Sequence, residues 1–187
     1  EQCFDTFYAT IAFVALLVVM GYVWEQLLVE NVAPAALFAE DVVVDDAFFG
    51  FFAIAMLIVA LFTTVGSFNY MRKHNSPAVY YSLILLATIG MVLVAYSTDL
   101  VMLFVAWELM SIPTYILVGF RKKNPSSNEA ALKYFLFGAL SSAIIVYGIS
   151  LAYGLTGSTN IGEVIEGYST LDPVPYTTLP LPKTQSG

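Results

Sequence analysis

Five long stretches of this chain carry almost no charge, and they constrain the fold more than any other feature. An α-helix needs about 20 mostly apolar residues to cross a bilayer, and each stretch is long enough. Charged residues make up 11% of the chain, against about 25% in a soluble domain. The predicted fold class is an all-α polytopic membrane protein. Its transmembrane helices are predicted at about 6–24, 47–70, 76–97, 99–120 and 128–155.

The rest of the chain, residues 158–187, is predicted to be an irregular or disordered tail, because prolines recur within it. Residues 1–157 then form the transmembrane helical region. A single cysteine, Cys3, excludes an internal disulfide, and no Cys/His cluster suggests a metal site. The low sequence pI of 4.4 argues against nucleic acid as a partner.

The distribution of charge between the helices predicts the orientation of the chain. Lys and Arg concentrate in cytoplasmic loops of membrane proteins. The loops at 71–75 and 121–127 are basic, whereas the segment after the first helix and the link at Asp99 are acidic. The two basic loops are therefore predicted to be cytoplasmic, and the chain to be a multi-pass protein of the plasma (cell inner) membrane.

Glu108 is the one charged residue between residues 100 and 120, and this position lies near the bilayer centre. A charge there costs at least ~2.5–3.5 kcal/mol on insertion scales, so such residues are usually functional. A carboxyl that holds and releases a proton is suited to proton relay. The alternative is a static carboxyl that is hydrogen-bonded to Ser111.

Three residues that follow Glu108 on the same helix are candidates for supporting it. Ser111 and Tyr115 lie on the face of Glu108 at i+3 and i+7, where they could extend a hydrogen-bond chain or merely pack. Pro113 is expected to kink the helix just past Glu108 and to free a backbone carbonyl near mid-membrane.

Lys133 is the one charged residue between residues 130 and 157. Two interpretations stay open. Lys133 could pair with Glu129, four residues earlier, near the cytoplasmic interface. It could instead point inward to Glu108, with the two stems and one or two waters bridging the difference in depth.

The fifth predicted helix also carries start and packing signals. Ser126 and Glu129 fit a capping box, and Pro125 is expected to stop the helix from extending backward. Gly138 and Ser142 are small residues that let helices approach closely, so Ser142 is predicted to serve helix packing.

Two stretches of the sequence resemble a known family. WELMSIPTYILVGFRKK begins at Trp107, and SNEAALKYFLFGALSSAIIVYGISLAYGLTGSTNI begins at Ser127. They resemble subunit N, the antiporter-like membrane subunit of bacterial and archaeal proton-pumping NADH–quinone oxidoreductase (respiratory complex I). The resemblance implies an antiporter-like bundle of inverted repeats. The five helices would form one incomplete half of it, so the chain is expected to be a fragment or one piece of a split subunit.

The resemblance also implies roles for individual residues. Glu108 occupies the position of the family's key acid in the WEL motif. Lys133 occupies the position of the family's modulating lysine in the ALKY motif. In the family these two residues form the input side of a proton channel, so proton transfer is expected to pass through Glu108 and Lys133. Supporting roles are expected for Glu129, Ser111, Tyr115 and Pro113.

The predicted function is a non-redox, proton-translocating membrane subunit that couples quinone reduction by NADH or a related donor to proton transfer. It is not expected to be catalytic alone, or to bind flavin, haem or an iron–sulfur cluster. The expected partners are the lipid bilayer, protons, and other antiporter-like and quinone-module membrane subunits. The alternatives are a cation/proton antiporter or membrane-hydrogenase subunit of the same superfamily, and a structural membrane scaffold with an inert Glu108.

Overall fold

The computed structural model describes residues 2–28, 47–71 and 76–170. The helices in these residues are α1 (Gln2–Leu28), α2 (Ala47–Met71), α3 (Pro77–Tyr96), α4 (Leu100–Val118), α5 (Pro125–Thr156) and α6 (Ile161–Thr170). The first five are long and apolar enough to cross a membrane. The predicted fold class is therefore confirmed. Residues 72–75 and 171–187, which hold part of one predicted basic loop and the prolines of the predicted tail, lie outside the described residues.

The first four helices form a bundle around α3, which packs on α1, α2 and α4. One apolar cluster includes Ala12, Met71 and Tyr81, and a second includes Ala53 and Leu57. By contrast, α5 packs on α4 and α6, and none of its residues is buried. Within the part of the chain that the structure describes, α5 therefore lies on the outside of the bundle.

The α3 and α4 backbones meet at Gly90. A β-carbon at this position would lie 2.8 Å from Met110 Cα and 2.9 Å from the Leu109 carbonyl carbon. Side chains do not approach a neighbouring backbone so closely, so the contact requires glycine. Because Leu109 and Met110 directly follow Glu108, this contact fixes the part of α4 that carries the Glu108 carboxyl.

The start of α5 differs from the predicted capping box. The Asn124 side chain accepts a hydrogen bond from the Ser126 amide at 3.1 Å, and Pro125 occupies the first turn, where its missing N–H costs nothing. The predicted capping box of Ser126 and Glu129 is therefore wrong, and α5 begins about a turn before the predicted start.

Helix α6 lies in the segment that was predicted to be irregular, so that prediction is wrong for Ile161–Thr170. The Asn160 side chain accepts hydrogen bonds from the amides of Gly162 and Glu163 at 2.9 and 3.3 Å. These bonds satisfy the first turn of the helix, and Val164 buries its side chain. The Asn160 cap and the burial of Val164 therefore stabilise this helix, which lies on the N-terminal side of the prolines.

The segment before α6 is tied to the start of α4. The Leu100 amide donates to the Thr159 carbonyl at 2.8 Å, and the Ile161 amide donates to the Thr98 carbonyl at 2.9 Å. Asp99 caps α4 by accepting from the amides of its first turn, and it also accepts from the Thr159 hydroxyl. Burial by itself would raise the pKa of Asp99, but these hydrogen bonds outweigh it and lower the pKa from its ordinary value of 3.8.

Candidate functional site

Glu108 lies near the middle of α4 and is partly buried. Its Oε1 atom accepts a hydrogen bond from the Ser142 hydroxyl, which belongs to α5. A polar group inside a membrane needs such a partner, because leaving it unpaired in an apolar medium costs several kcal/mol. The structure therefore places the predicted key acid at the α4–α5 interface, with a hydroxyl partner from the neighbouring helix.

Three contacts define how α4 and α5 align. A β-carbon at Gly119 would lie 2.9 Å from the Ala131 β-carbon, Tyr115 covers Gly138, and Glu108 meets Ser142. From the first contact to the third, the residue numbers fall along α4 and rise along α5. The two helices are therefore antiparallel. The α5 face that packs on α4 consequently carries Ala131, Tyr134, Phe135, Gly138 and Ser142.

The Tyr115 ring occupies the space that Gly138 leaves open. A β-carbon at residue 138 would lie 2.6 Å from Tyr115 Cζ, so any other side chain would displace the ring. The ring also meets Tyr134 and Phe135 edge-on, with centroid distances of 4.8 and 5.8 Å. Gly138 was predicted to let two helices approach closely, but the space beside it is filled by a side chain, and the Tyr115 hydroxyl lies against α5 one turn from Ser142.

Lys133 lies on the other side of α5. Its Nζ atom is 2.5 Å from Glu129 Oε1, and the two side chains are 66% and 65% exposed. Lys133 precedes Ser142 by nine residues, which is about two and a half turns and about 13.5 Å of rise. The half turn points Lys133 away from α4, so in this structure the inward orientation toward Glu108 is wrong and the pairing with Glu129 is correct.

The expectation that two side chains and one or two waters bridge the difference in depth between Lys133 and Glu108 also needs correction. Because Gly119 meets Ala131, the end of α4 lies level with Ala131, and Lys133 is only about 3 Å further along α5. The sequence-based depth treated both helices as if they started at the same level. In fact α5 starts at Pro125 and runs past the end of α4. Lys133 is therefore level with the last turn of α4, and it is not buried.

Ser111 and Pro113, two of the residues that were expected to support Glu108, make no contact with its carboxyl among the hydrogen bonds of the described residues. The Ser111 hydroxyl donates to the Trp107 carbonyl at 2.8 Å, so the predicted bond to Glu108 is not formed. The Thr114 hydroxyl donates in turn to the Ser111 carbonyl at 2.7 Å. Pro113 is fully buried, and α4 runs through it as one helix.

Ser142 is the site residue whose role was missed. It was assigned to helix packing because serine is small, and its hydroxyl was not considered as a partner for the carboxyl. The spacing held a usable signal, since Gly138 and Ser142 are four residues apart and share one face of α5. Lys133 falls half a turn out of phase with that face.

The Arg121 guanidinium holds the C-terminal end of α4, where the basic loop begins. Arg121 Nε donates to the Tyr70 hydroxyl at 2.7 Å, and the guanidinium lies 5.0 Å from the centre of the Tyr70 ring. Phe120 packs edge-on to Tyr80 at 5.2 Å. These contacts tie the loop to α2 and α3, so the charged end of α4 has a defined position beside the aromatic residues of its neighbours.

Comparison with known proteins places these residues in a family. A family model described as "NADH:quinone oxidoreductase/Mrp antiporter, TM" matches residues 97–177. The chain is 50% identical over 120 residues to NADH-quinone oxidoreductase subunit N 1 of Koribacter versatilis, which covers 64% of this chain and 24% of that protein. It is 43% identical over 116 residues to F(420)H(2) dehydrogenase subunit N of Methanosarcina mazei, covering 62% and 24%.

The fold is also similar to a solved structure. A chain of respiratory complex I from Thermus thermophilus with bound aureothin superposes with a TM-score of 0.68 at 29% identity. The match covers 84% of this chain and 34% of that chain. The chain thus spans about a quarter of the length of the curated relatives that it matches. Residues 97–177 match the model of the NADH:quinone oxidoreductase/Mrp antiporter family of membrane proteins, and the chain is similar in sequence to subunit N of the NADH-quinone oxidoreductases.

Proposed function

We propose that this chain is part of a non-redox, proton-translocating membrane subunit that couples quinone reduction by NADH or a related donor to proton transfer. The observation that carries this proposal is the position of Glu108. Its carboxyl lies midway along a membrane-length helix and is partnered by a hydroxyl of the next helix. An ionisable group at that depth is costly, and it is usually retained because it carries protons or ions.

Lys133 has a different place in this proposal from the one that the sequence suggested. Its ion pair with Glu129 lies level with the end of α4 and next to the basic loop. An ion pair at the membrane surface can exchange protons with water, whereas a carboxyl at mid-membrane cannot do so directly. We therefore assign Lys133 and Glu129 to the surface side of the proton path, and Glu108 to its interior.

The proposed orientation puts the 71–75 and 121–127 loops in the cytoplasm of a cell with this chain in its plasma membrane. The Lys and Arg residues of those loops support it, because such residues concentrate on the cytoplasmic side. The proposed partners are other membrane subunits of a respiratory complex. The subunit names of the relatives support that proposal, as does the long α5 helix with no buried residue.

A cation/proton antiporter subunit is the second candidate function. The observation in its favour is that the matching family model is described for both the oxidoreductase and the Mrp antiporter. A carboxyl at mid-membrane suits either activity, because both move a proton through an apolar barrier.

The test uses the assembled complex, with the complete subunit, reconstituted in vesicles. Quinone reduction with its electron donor is expected to acidify or alkalinise the vesicle lumen without added sodium ions, and Glu108→Gln is expected to abolish this proton movement. Proton movement that requires a sodium gradient and ignores quinone reduction would favour the antiporter. Undiminished, quinone-linked translocation in Glu108→Gln would leave Glu108 with a structural role only.

A further inference from the structure

Glu108 and the surface pair of Lys133 and Glu129 are separated by a gap that no charged side chain fills in the part of the chain that the structure describes. Lys133 faces away from α4, about 13.5 Å of helix rise from the level of Ser142. A lysine side chain is too short to cover this distance while it also turns around the helix. If a proton moves between the membrane surface and Glu108, other groups must carry it.

The α4–α5 interface holds hydroxyl groups along this gap. The Thr114 hydroxyl lies 3.5 Å from the Tyr134 hydroxyl, near the surface end. The Tyr115 hydroxyl lies against Gly138, and the Ser142 hydroxyl donates to Glu108. We call these four groups the hydroxyl seam.

The spacing of the seam is regular. The backbone positions of Tyr134, Gly138 and Ser142 follow one another at four-residue intervals on one face of α5, so they are about 6 Å apart along the helix axis. Water molecules can bridge hydroxyls that are too far apart for a direct hydrogen bond. Each hydroxyl both donates and accepts a hydrogen bond, which a lysine ammonium cannot do. The interface therefore has the parts of a hydrogen-bonded chain.

We propose that the hydroxyl seam is the route by which a proton passes between the surface side of α5 and Glu108, and that Ser142 is the residue that positions the Glu108 carboxyl for this transfer. The inference rests on the proposed function. In each transfer Glu108 starts as a carboxylate, the Ser142 O–H bond breaks, and its proton bonds to Glu108 Oε1. Ser142 Oγ takes a replacement proton from a bridging water, which takes one from the Tyr115 hydroxyl. The Tyr115 oxygen is reprotonated through the Tyr134 and Thr114 end of the seam by a hydronium ion at the membrane surface, which becomes water. Glu108 gains one proton, and the serine is unchanged.

The experiment uses the assembled complex in vesicles and two conservative substitutions. Tyr115→Phe removes a hydroxyl but keeps the ring that fills the space over Gly138, and Ser142→Ala removes the donor to Glu108. The matched controls are Tyr147→Phe and Ser141→Ala, because both residues are exposed and Ser141 donates to the Phe137 carbonyl. The readouts are the rate of quinone-linked proton translocation and the carboxyl infrared band of Glu108, assigned with Glu108→Gln.

Tyr115→Phe and Ser142→Ala are each expected to slow proton translocation about tenfold. This is less than the ~10²–10⁴-fold contribution of a dedicated acid–base group, because water can partly replace a hydroxyl. Ser142→Ala is also expected to move the Glu108 band to higher wavenumber, and Ser142→Thr is expected to restore both readouts. The controls should behave as wild type.

Wild-type translocation in Tyr115→Phe, or an unmoved Glu108 band in Ser142→Ala, would contradict the proposed proton route along the hydroxyl seam. If Glu108→Gln still abolished translocation in the same preparation, only the proton route along the hydroxyl seam would be contradicted, and the proposed function would stand. Normal translocation in Glu108→Gln would instead remove the function on which the seam depends.

Discussion

Glu108 and Lys133 are both charged residues of membrane-length helices. The free-energy cost of placing each charge differs, because the surroundings of the two side chains differ. Glu108 is partly buried and depends on the Ser142 hydroxyl. Lys133 and Glu129 form an exposed i,i+4 pair, which is worth only about 0.3–0.5 kcal/mol. The sequence identified the two charged residues correctly, because a charge in an apolar stretch is visible without a structure. It offered Glu129 as one of two partners for Lys133, but it missed Ser142 as the partner of Glu108, because that contact depends on how α4 and α5 align.

Asp99 is the residue at which we expect pH to act on the stability of this fold. Its hydrogen bonds from Thr159 and the first turn of α4 lower its pKa from the ordinary 3.8. The folded state therefore stays unprotonated where the unfolded state already binds a proton. The stability that these bonds contribute is present above the ordinary pKa and is lost as the pH falls through the lowered value.

We therefore expect the wild-type complex to lose thermal stability as the pH falls below about 4. Asp99→Asn should be less stable than wild type at pH 7, and the difference should shrink on acidification. The measurement is the melting temperature in detergent from pH 7 to pH 3. A constant difference between the two proteins over that range would show that the Asp99 carboxylate does not support the connection to Thr159.

At the scale of the helices, the lengths of the membrane spans were predictable and the alignment of α4 on α5 was not. Span length follows from apolar composition alone. Alignment depends on where α5 starts, which Asn124 and Pro125 decide, and on the space that Gly138 leaves for Tyr115. Moving the start of α5 by three residues shifts the expected level of its later residues relative to α4 by about 4.5 Å. That error affected the expected depth of Lys133, whereas its orientation had been left open between Glu129 and Glu108.

Helix α6 was missed for another reason. The prolines further along the tail dominated the prediction for the whole segment from residue 158. Its first turn nevertheless held a start signal, with Asn160 followed by Glu163. Apolar residues then recur at helical spacing, at Ile161, Val164, Ile165 and Tyr168. The helical pattern of residues 161–170 is distinct from the proline-containing residues that follow it, so the two parts differ in sequence.

The contact between α3 and α4 gives a prediction about stability. Gly90→Ala places a β-carbon against the backbone of Leu109 and Met110, which cannot move aside as a side chain would. We expect the substitution to lower the free energy of unfolding by about 1–3 kcal/mol.

Gly66→Ala in α2 is the matched control, because a β-carbon there meets nothing within 4 Å. It should be neutral or stabilise the protein by about 0.5–1 kcal/mol, because alanine is the better helix former. Thermal unfolding of the two variants beside wild type makes the comparison. Equal melting temperatures for Gly90→Ala and Gly66→Ala would show that the helices do not meet as closely as described.

At the scale of the whole molecule, the orientation in the membrane rests on the distribution of charge. Lys122 lies in the basic loop between α4 and α5 and is exposed. In a Cys3→Ser background, Lys122→Cys is expected to resist a membrane-impermeant thiol reagent applied to intact cells, and to react in inverted vesicles. Efficient labelling in intact cells would reverse the proposed topology.

The most direct test of the site asks which residue of α5 lies beside Glu108. In a Cys3→Ser background, Glu108→Cys is combined either with Ser142→Cys or with Lys133→Cys, and the assembled complex is treated with a short bis-thiol reagent. Trypsin then cuts the loop at its basic residues, Arg121, Lys122 and Lys123, so α4 and α5 stay together only when they are cross-linked. We predict efficient linkage for the pair at residues 108 and 142 and none for the pair at 108 and 133. The reverse result would place Lys133 at the carboxyl and contradict the alignment on which the site is built.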